Sequence, residues 1–416
     1  LNLRWLMAPA FAGVFCSIPV GMAADSLRLE EAVARSLASD LFIAAQEADL
    51  QAVQARAKLG SLSTPYSVGV DLENVGGTGS LSGLRSAETT LRLSRVIELG
   101  GKQAARQALG AAEMARQQHL SDIARLEVAS RTTGRFIAVA AAQYRLEFAR
   151  QQLELADTTR REVARGVAAA RNPESDLRAA EIVVGDAELK RDAAERDLAS
   201  SKVALTASWG AIKPDFLQVE GNIHVLPSIE TFETLAARLP MSLVQRNAAF
   251  EADTIAAKRR VAQASAKPDI DLSLGVRRFE ELDDQGLVMS VSVPLGSKPR
   301  ASYAITEADA QLTALVSRQE AQRMESYQSL FGLYQQLMQA RTEYEALRTR
   351  LVPKAEQAFT FARHAFDAGR TSFIELTQAQ RTLFDQRTRV IDAAARYHTL
   401  LVEVERLTAV ASGPTP

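Results

Sequence analysis

Two stretches of this chain run far without a proline, and each is fed by a pair of short alternating segments. No proline occurs between Pro65 and Pro173, and none between Pro299 and Pro353. Proline removes a backbone donor and clashes with the preceding helical turn, so such spans leave room for unbroken helices. The pattern over residues 102–165 reads as one helix roughly 95 Å long at about 1.5 Å per residue. Ahead of it, Val68, Val70 and Leu72 alternate with Ser67, Gly69, Asp71 and Glu73, and Leu91 and Leu93 alternate with Thr90, Arg92 and Ser94. A period of two is that of a strand with unlike faces. Strands are therefore expected over 67–74 and 89–96, joined by the glycine-rich loop 76–80. The same plan recurs at 270–279 and 287–294, with Asp283-Asp284-Gln285-Gly286 as the loop, ahead of a second long helix.

The flanking segments complete two similar halves. Residues 29–59 and 235–266 read as helices ahead of each strand pair. The first long helix is expected to end near Gly166, with Pro173 opening a return helix to about Trp209, since glycine favours helix ends and proline helix starts. The second turns at Gly369. Leu330, Leu337, Tyr344 and Leu351 going out are seven apart, as are Leu376, Leu383, Val390, Tyr397 and Val404 coming back. Ala379, Ala393, Leu400 and Leu407 form a companion seam, which together make a coiled-coil signal. The expected fold class is mainly α with a small β part. It divides into pseudo-repeats at 24–210 and 231–410, a proline-bearing linker at 211–230 and a disordered tail at 411–416.

Several function classes drop out. A formal net charge of −1 offers no basic face to a nucleic acid. The single cysteine, Cys16, excludes an internal disulfide framework. His119, His224, His364 and His398 are scattered, with no partner at ligand spacing, so neither a metal site nor a cofactor is expected. Gly76-Gly77-Thr78-Gly79 lacks the Lys-Ser/Thr of a phosphate loop, and no catalytic constellation stands out. An enzyme is not expected.

Residues 1–23 read as a secretory signal: Arg4, an apolar run from Trp5 to Val20, then Gly21-Met22-Ala23 as the small-residue exit. The alternative is a membrane anchor, since the run is almost long enough to span. Pro9, Pro19 and the small-residue exit favour cleavage. Gly13-Val14-Phe15 lacks the small residue that precedes a lipidated cysteine, so lipidation of Cys16 is not expected.

Strands of about 8–10 residues suit a tilted transmembrane β-strand. An open sheet is not viable in lipid, because unpaired edge groups each cost several kcal/mol. Neighbouring copies must close it, and three copies supply twelve strands. The competing reading is a soluble β-sandwich edge carrying helices, against which stands the repetition of the strand–helix unit behind an export signal.

On these residues the chain resembles the TolC-like outer-membrane efflux proteins over about 27–410. The most specific stretch is Phe366-Asp367-Ala368-Gly369-Arg370-Thr371-Ser372-Phe373-Ile374-Glu375-Leu376, similar to the family's second helical tip. Ser94-Arg95-Val96-Ile97-Glu98-Leu99-Gly100-Gly101-Lys102 resembles the strand-to-helix joint of the heavy-metal, CzcC-like branch. The resemblance implies a homotrimer with a twelve-stranded barrel in outer-membrane lipid and a helical barrel in the periplasm. It implies a periplasmic adaptor and an inner-membrane RND pump as partners, with heavy-metal cations or other small molecules as cargo. Glu375 would line the periplasmic aperture three times over, with Asp176 as its counterpart in the first half. Acidic rings favour cations. Arg370 and Arg171 would close the aperture by pairing with carboxylates of a neighbouring helix. Gly166, Val167, Gly369, Thr371 and Ser372 would dock the adaptor. The first tip, counted from Gly166 to Asp176, departs from the pattern by being some four residues longer than Gly369 to Glu375. Two other classes compete: a periplasmic coiled-coil adaptor, which needs flanking β-rich domains, and a secreted filament protein, which leaves the strand pairs unexplained.

Overall fold

The structure is a computed structural model that describes residues 24–81 and 83–410. The proposed signal segment with Cys16, and the tail 411–416, lie outside the described residues. The described chain forms two compact units: residues 46–121 with 245–322, and residues 24–45 with 122–244 and 323–410.

The first of these contains a four-stranded antiparallel sheet of β2 (Tyr66–Glu73), β3 (Glu88–Ile97), β5 (Ile270–Phe279) and β6 (Asp284–Ser292), in that order. The alternation noted in the sequence becomes two chemically distinct faces. On one, the register aligns Val68, Leu93, Leu274 and Met289 in a row, and Val70, Leu91, Val276 and Leu287 in the next. All eight are exposed, Val68 by 71% and Leu287 by 74%. On the other, Ser67, Ser94, Ser273 and Ser290 share a row. The charges of that face are paired across strands: Arg92 meets Asp71 at 2.8 Å, and Arg277 meets Glu73 and Glu88, each at 2.7 Å. An apolar face left open to solvent over four strands is what a lipid-facing sheet requires. The outer strands are β2 and β6, whose far edges have no partner among the described residues.

One expectation here needs correcting. Residues 284–286 are not loop but the start of β6, pairing with 277–279. The chain reverses instead over 280–283, where Asp283 takes the left-handed conformation, φ 52°.

The other unit is mainly helical. It holds α1 (Leu29–Ser39), α4 (Glu174–Thr206), α5 (Phe232–Arg238), α8 (Val352–Asp367) and α9 (Phe373–Thr408), with portions of α3 (Lys102–Ala168) and α7 (Ser297–Ala346). It also contains a parallel pair absent from the sequence reading, β1 (Ala24–Arg28) with β4 (Phe216–Glu220). Leu27, Phe216 and Val219 of that pair are buried in one core with Phe136, Val139 and Ala140 of α3. The two helices expected ahead of the strand pairs are each interrupted. The first breaks at Asp40, between α1 and α2 (Leu41–Ser61), and the second at Pro240, between α5 and α6 (Leu243–Ser265).

Aromatic rings from α7 and α9 hold the linker. Tyr344 donates its hydroxyl hydrogen to the His224 carbonyl at 2.8 Å, and His398 Nε2 lies 3.0 Å from the Ile223 carbonyl. A carbonyl only accepts, so His398 carries its hydrogen on Nε2. The coiled-coil seam holds at Leu330, Leu337 and Tyr344, all buried, but not at Leu351, which is 42% exposed. There, residues Leu347–Leu351 form a π-helical turn, with the Val352 N–H bonding back to the Leu347 carbonyl. Pro353 follows at once. The widened turn absorbs a residue that would otherwise clash with the carbonyl four positions earlier.

Candidate functional site

The two hairpin tips are built from the same backbone motif. At the second, α8 ends at Asp367 and Gly369 takes φ 67°. Arg370 N–H then reaches the Ala365 carbonyl at 2.8 Å, and Gly369 N–H the Phe366 carbonyl at 2.9 Å. This pair of bonds around one left-handed residue is a Schellman motif, which satisfies the last helical carbonyls. At the first tip, α3 ends at Ala168 and the left-handed residue is Ala170, φ 55°. Arg171 N–H bonds the Gly166 carbonyl at 2.8 Å and Ala170 N–H bonds the Val167 carbonyl at 2.9 Å, the same two links.

The first turn is therefore misplaced in the sequence reading. Gly166 lies buried within the last turn of α3, two residues before its end. Its role is close approach: a Cβ there would sit 2.1 Å from Asn172 Oδ1. Matching Ala170 with Gly369 also removes the apparent four-residue excess of the first tip. Arg171 then matches Arg370, and Asp176 and Glu375 each stand six residues beyond their left-handed residue.

Beyond each turn a helix begins with its acid in the first turn, where the helix dipole favours negative charge. Ser372 caps α9 by accepting from the Glu375 N–H at 3.3 Å, half of the reciprocal Ser-x-x-Glu arrangement. Pro173 opens α4 without a side-chain cap, but Asn172 Nδ2 reaches Asp176 Oδ2 at 3.4 Å. Glu375, Arg370, Arg171 and Gly369 are exposed, and Asp176, Val167 and Thr371 are half-buried. Neither Arg171 nor Arg370 meets a carboxylate among the described residues.

Four helices converge on one small core behind the tips. Val163, Ala180, Phe373 and Leu376 are buried there, with Val167, Phe359 and Phe366 packed against them. An ion pair adds to it: Arg363 of α8 reaches Glu162 of α3 at 2.8 Å. Nothing in the sequence announced this pair, because its members lie 201 residues apart. The structure thus brings Gly166, Val167, Asp176, Gly369, Ser372 and Glu375 to one end of the same helical unit.

Among the described residues no group of three His, Cys, Asp or Glu side chains is arranged to hold a metal. No described helix is long and apolar enough to cross a membrane.

The fold is shared with outer-membrane channels. A solved structure of CusC matches 97% of this chain and 100% of its own with a TM-score of 0.77 at 14% identity. VceC of Vibrio cholerae matches 92% of this chain and 96% of its own with a TM-score of 0.75 at 16% identity. By sequence, residues 245–410 match the family described as outer membrane efflux protein. The cobalt-zinc-cadmium resistance protein CzcC of Cupriavidus metallidurans is 30% identical over 321 residues, 77% of this chain and 76% of that protein. The sequence relationship defines the class, an outer-membrane efflux channel and not an enzyme. The chain belongs to the outer membrane efflux protein family, on the TolC-like pattern that its sequence resembles. Channels of this kind form trimers in tripartite efflux systems.

Proposed function

We propose that this channel is the exit duct of an RND-driven tripartite system and that its cargo is heavy-metal cations. The observation carrying the cargo is the 30% identity, over 77% of the chain, to a protein named for cobalt, zinc and cadmium resistance. Three copies, each contributing β2, β3, β5 and β6, close a twelve-stranded barrel, satisfying the free edges of β2 and β6. The halves 24–210 and 231–410 act as pseudo-repeats about the linker 211–230. Glu375 and Asp176 line the periplasmic aperture, and Arg370 and Arg171 hold it closed through carboxylates of neighbouring helices. Gly166, Val167, Gly369, Thr371 and Ser372 belong to the surface that receives the periplasmic adaptor.

An export strain deleted for this chain tests the cargo. It is expected to become sensitive to cobalt, zinc or cadmium and to regain resistance on complementation. Sensitivity confined to organic drugs would replace metal cations with small molecules as the cargo.

A further inference from the structure

One arginine of the sheet is placed differently from the rest. Arg92, Arg277 and Arg278 each meet a carboxylate. Arg95 meets none among the described residues. Its guanidinium lies 4.6 Å from the centre of the Tyr66 ring, and Nη1 donates to the Tyr66 hydroxyl at 2.9 Å. The remaining guanidinium donors form a planar fork suited to two oxygens of one phosphate.

The register fixes where this fork sits. Tyr66, Arg95, Leu272 and Val291 share a row, on the same face as the exposed apolar rows and next to the row of Val68, Leu93, Leu274 and Met289. That row lies near the end of the apolar face on the side where the strands join their helices: Tyr66 is the first residue of β2, and one further row, Ile97 with Ile270, stands beyond it before α3 begins at Lys102. An arginine on a lipid-facing strand is tolerated at the membrane boundary and penalised at mid-depth, and tyrosine concentrates at the same boundary. An arginine with no carboxylate partner among the described residues, stacked on a tyrosine one row from the end of an open apolar face, suits a phosphate that arrives attached to acyl chains.

We propose that Arg95 and Tyr66 form a headgroup site for an anionic phospholipid of the leaflet nearest the helices. Arg95 takes the phosphate, and the acyl chains lie along the Leu93, Leu272 and Leu274 side chains. The proposal rests on the outer-membrane placement of the sheet and is independent of the cargo.

Native mass spectrometry of the detergent-purified full-length channel tests it, with micelles doped with dioleoylphosphatidylglycerol. Wild type is expected to retain at least five-fold more of this lipid per chain than Arg95→Gln, with Arg95→Lys in between. Dioleoylglycerol, with the same tails and no phosphate, is expected to bind all three equally, and inorganic phosphate none. Equal phosphatidylglycerol retention by wild type and Arg95→Gln would overturn the site. Binding of inorganic phosphate at Arg95 as strong as that of the lipid would overturn the lipid assignment. If Arg95→Gln does not assemble, Tyr66→Leu reads the same position, with retention expected to fall and unchanged retention overturning it.

Discussion

Ala170 and Gly369 hold the same left-handed position at the two hairpin tips, at φ 55° and 67°. The shared position puts Asp176 and Glu375 at matching places in the first turns of α4 and α9. The tips thus have a common frame that spacing from Gly166 conceals. It also makes them unequal in cost, since a side chain at a left-handed position typically costs about 1–2 kcal/mol against none for glycine.

The inequality is open to measurement by hydrogen exchange at the turns. Ala170→Gly is expected to slow exchange of the Arg171 amide several-fold by relieving strain. Gly369→Val is expected to speed exchange of the Arg370 amide by more, with trimer level unchanged and efflux reduced. Equal exchange in variant and parent at both tips would contradict the shared motif.

Gly166 makes a separate prediction. A methyl group there displaces the Asn172 side chain, which gives up its contact with Asp176. Gly166→Ala should therefore cost about 0.5–1.5 kcal/mol of local tip stability, the usual net worth of one hydrogen bond. In an Asn172→Ala background the same change should cost much less, and a double-mutant cycle by hydrogen exchange reads the difference. Costs that add without coupling would place the role of Gly166 elsewhere.

His398 ties stability to pH. It is buried, and burial lowers its pKa more than its bond to the Ile223 carbonyl raises it, with His224 adding to the depression. A histidine with a lowered folded pKa takes up its proton more readily when unfolded. Its stabilising contribution is full above the unfolded value, about 6.5, and is lost as pH falls from there through the folded value. Thermal unfolding is expected to drop more steeply between pH 7.5 and 5.5 in wild type than in His398→Gln. Parallel pH profiles would show that another group controls the transition.

Much of this fold is legible in the sequence where a single period governs a segment. The run at Ile270–Phe279 is a strand with the expected bounds, and α3 starts at Lys102 as read. Turn chemistry misled where two local preferences compete. Asp284, Gln285 and Gly286 carry turn composition, yet pairing with Arg277, Arg278 and Phe279 outweighs it. The second hairpin turns at Gly369 as expected, but the π turn at Leu347–Leu351, ahead of Pro353, is not legible in the heptad spacing and takes Leu351 out of the seam. The β1–β4 pair was missed because each strand is five residues long and its partner lies far along the chain. At the first tip the glycine preference pointed to Gly166, while the left-handed turn fell to an alanine that no propensity favours. Asp176 is legible in the sequence as the counterpart of Glu375, but the register that puts each six residues beyond its left-handed residue required the backbone.

The central proposal is that these two acids line a cation-selective aperture, and channel recording tests it most directly. The purified trimer in planar bilayers is expected to favour cations under a salt gradient and to be blocked by divalent ions added on the helical side. In the double variant Asp176→Ala with Glu375→Ala, both cation preference and divalent block are expected to fall sharply, with trimer stability unchanged. Wild-type selectivity and block in that variant would contradict the assignment.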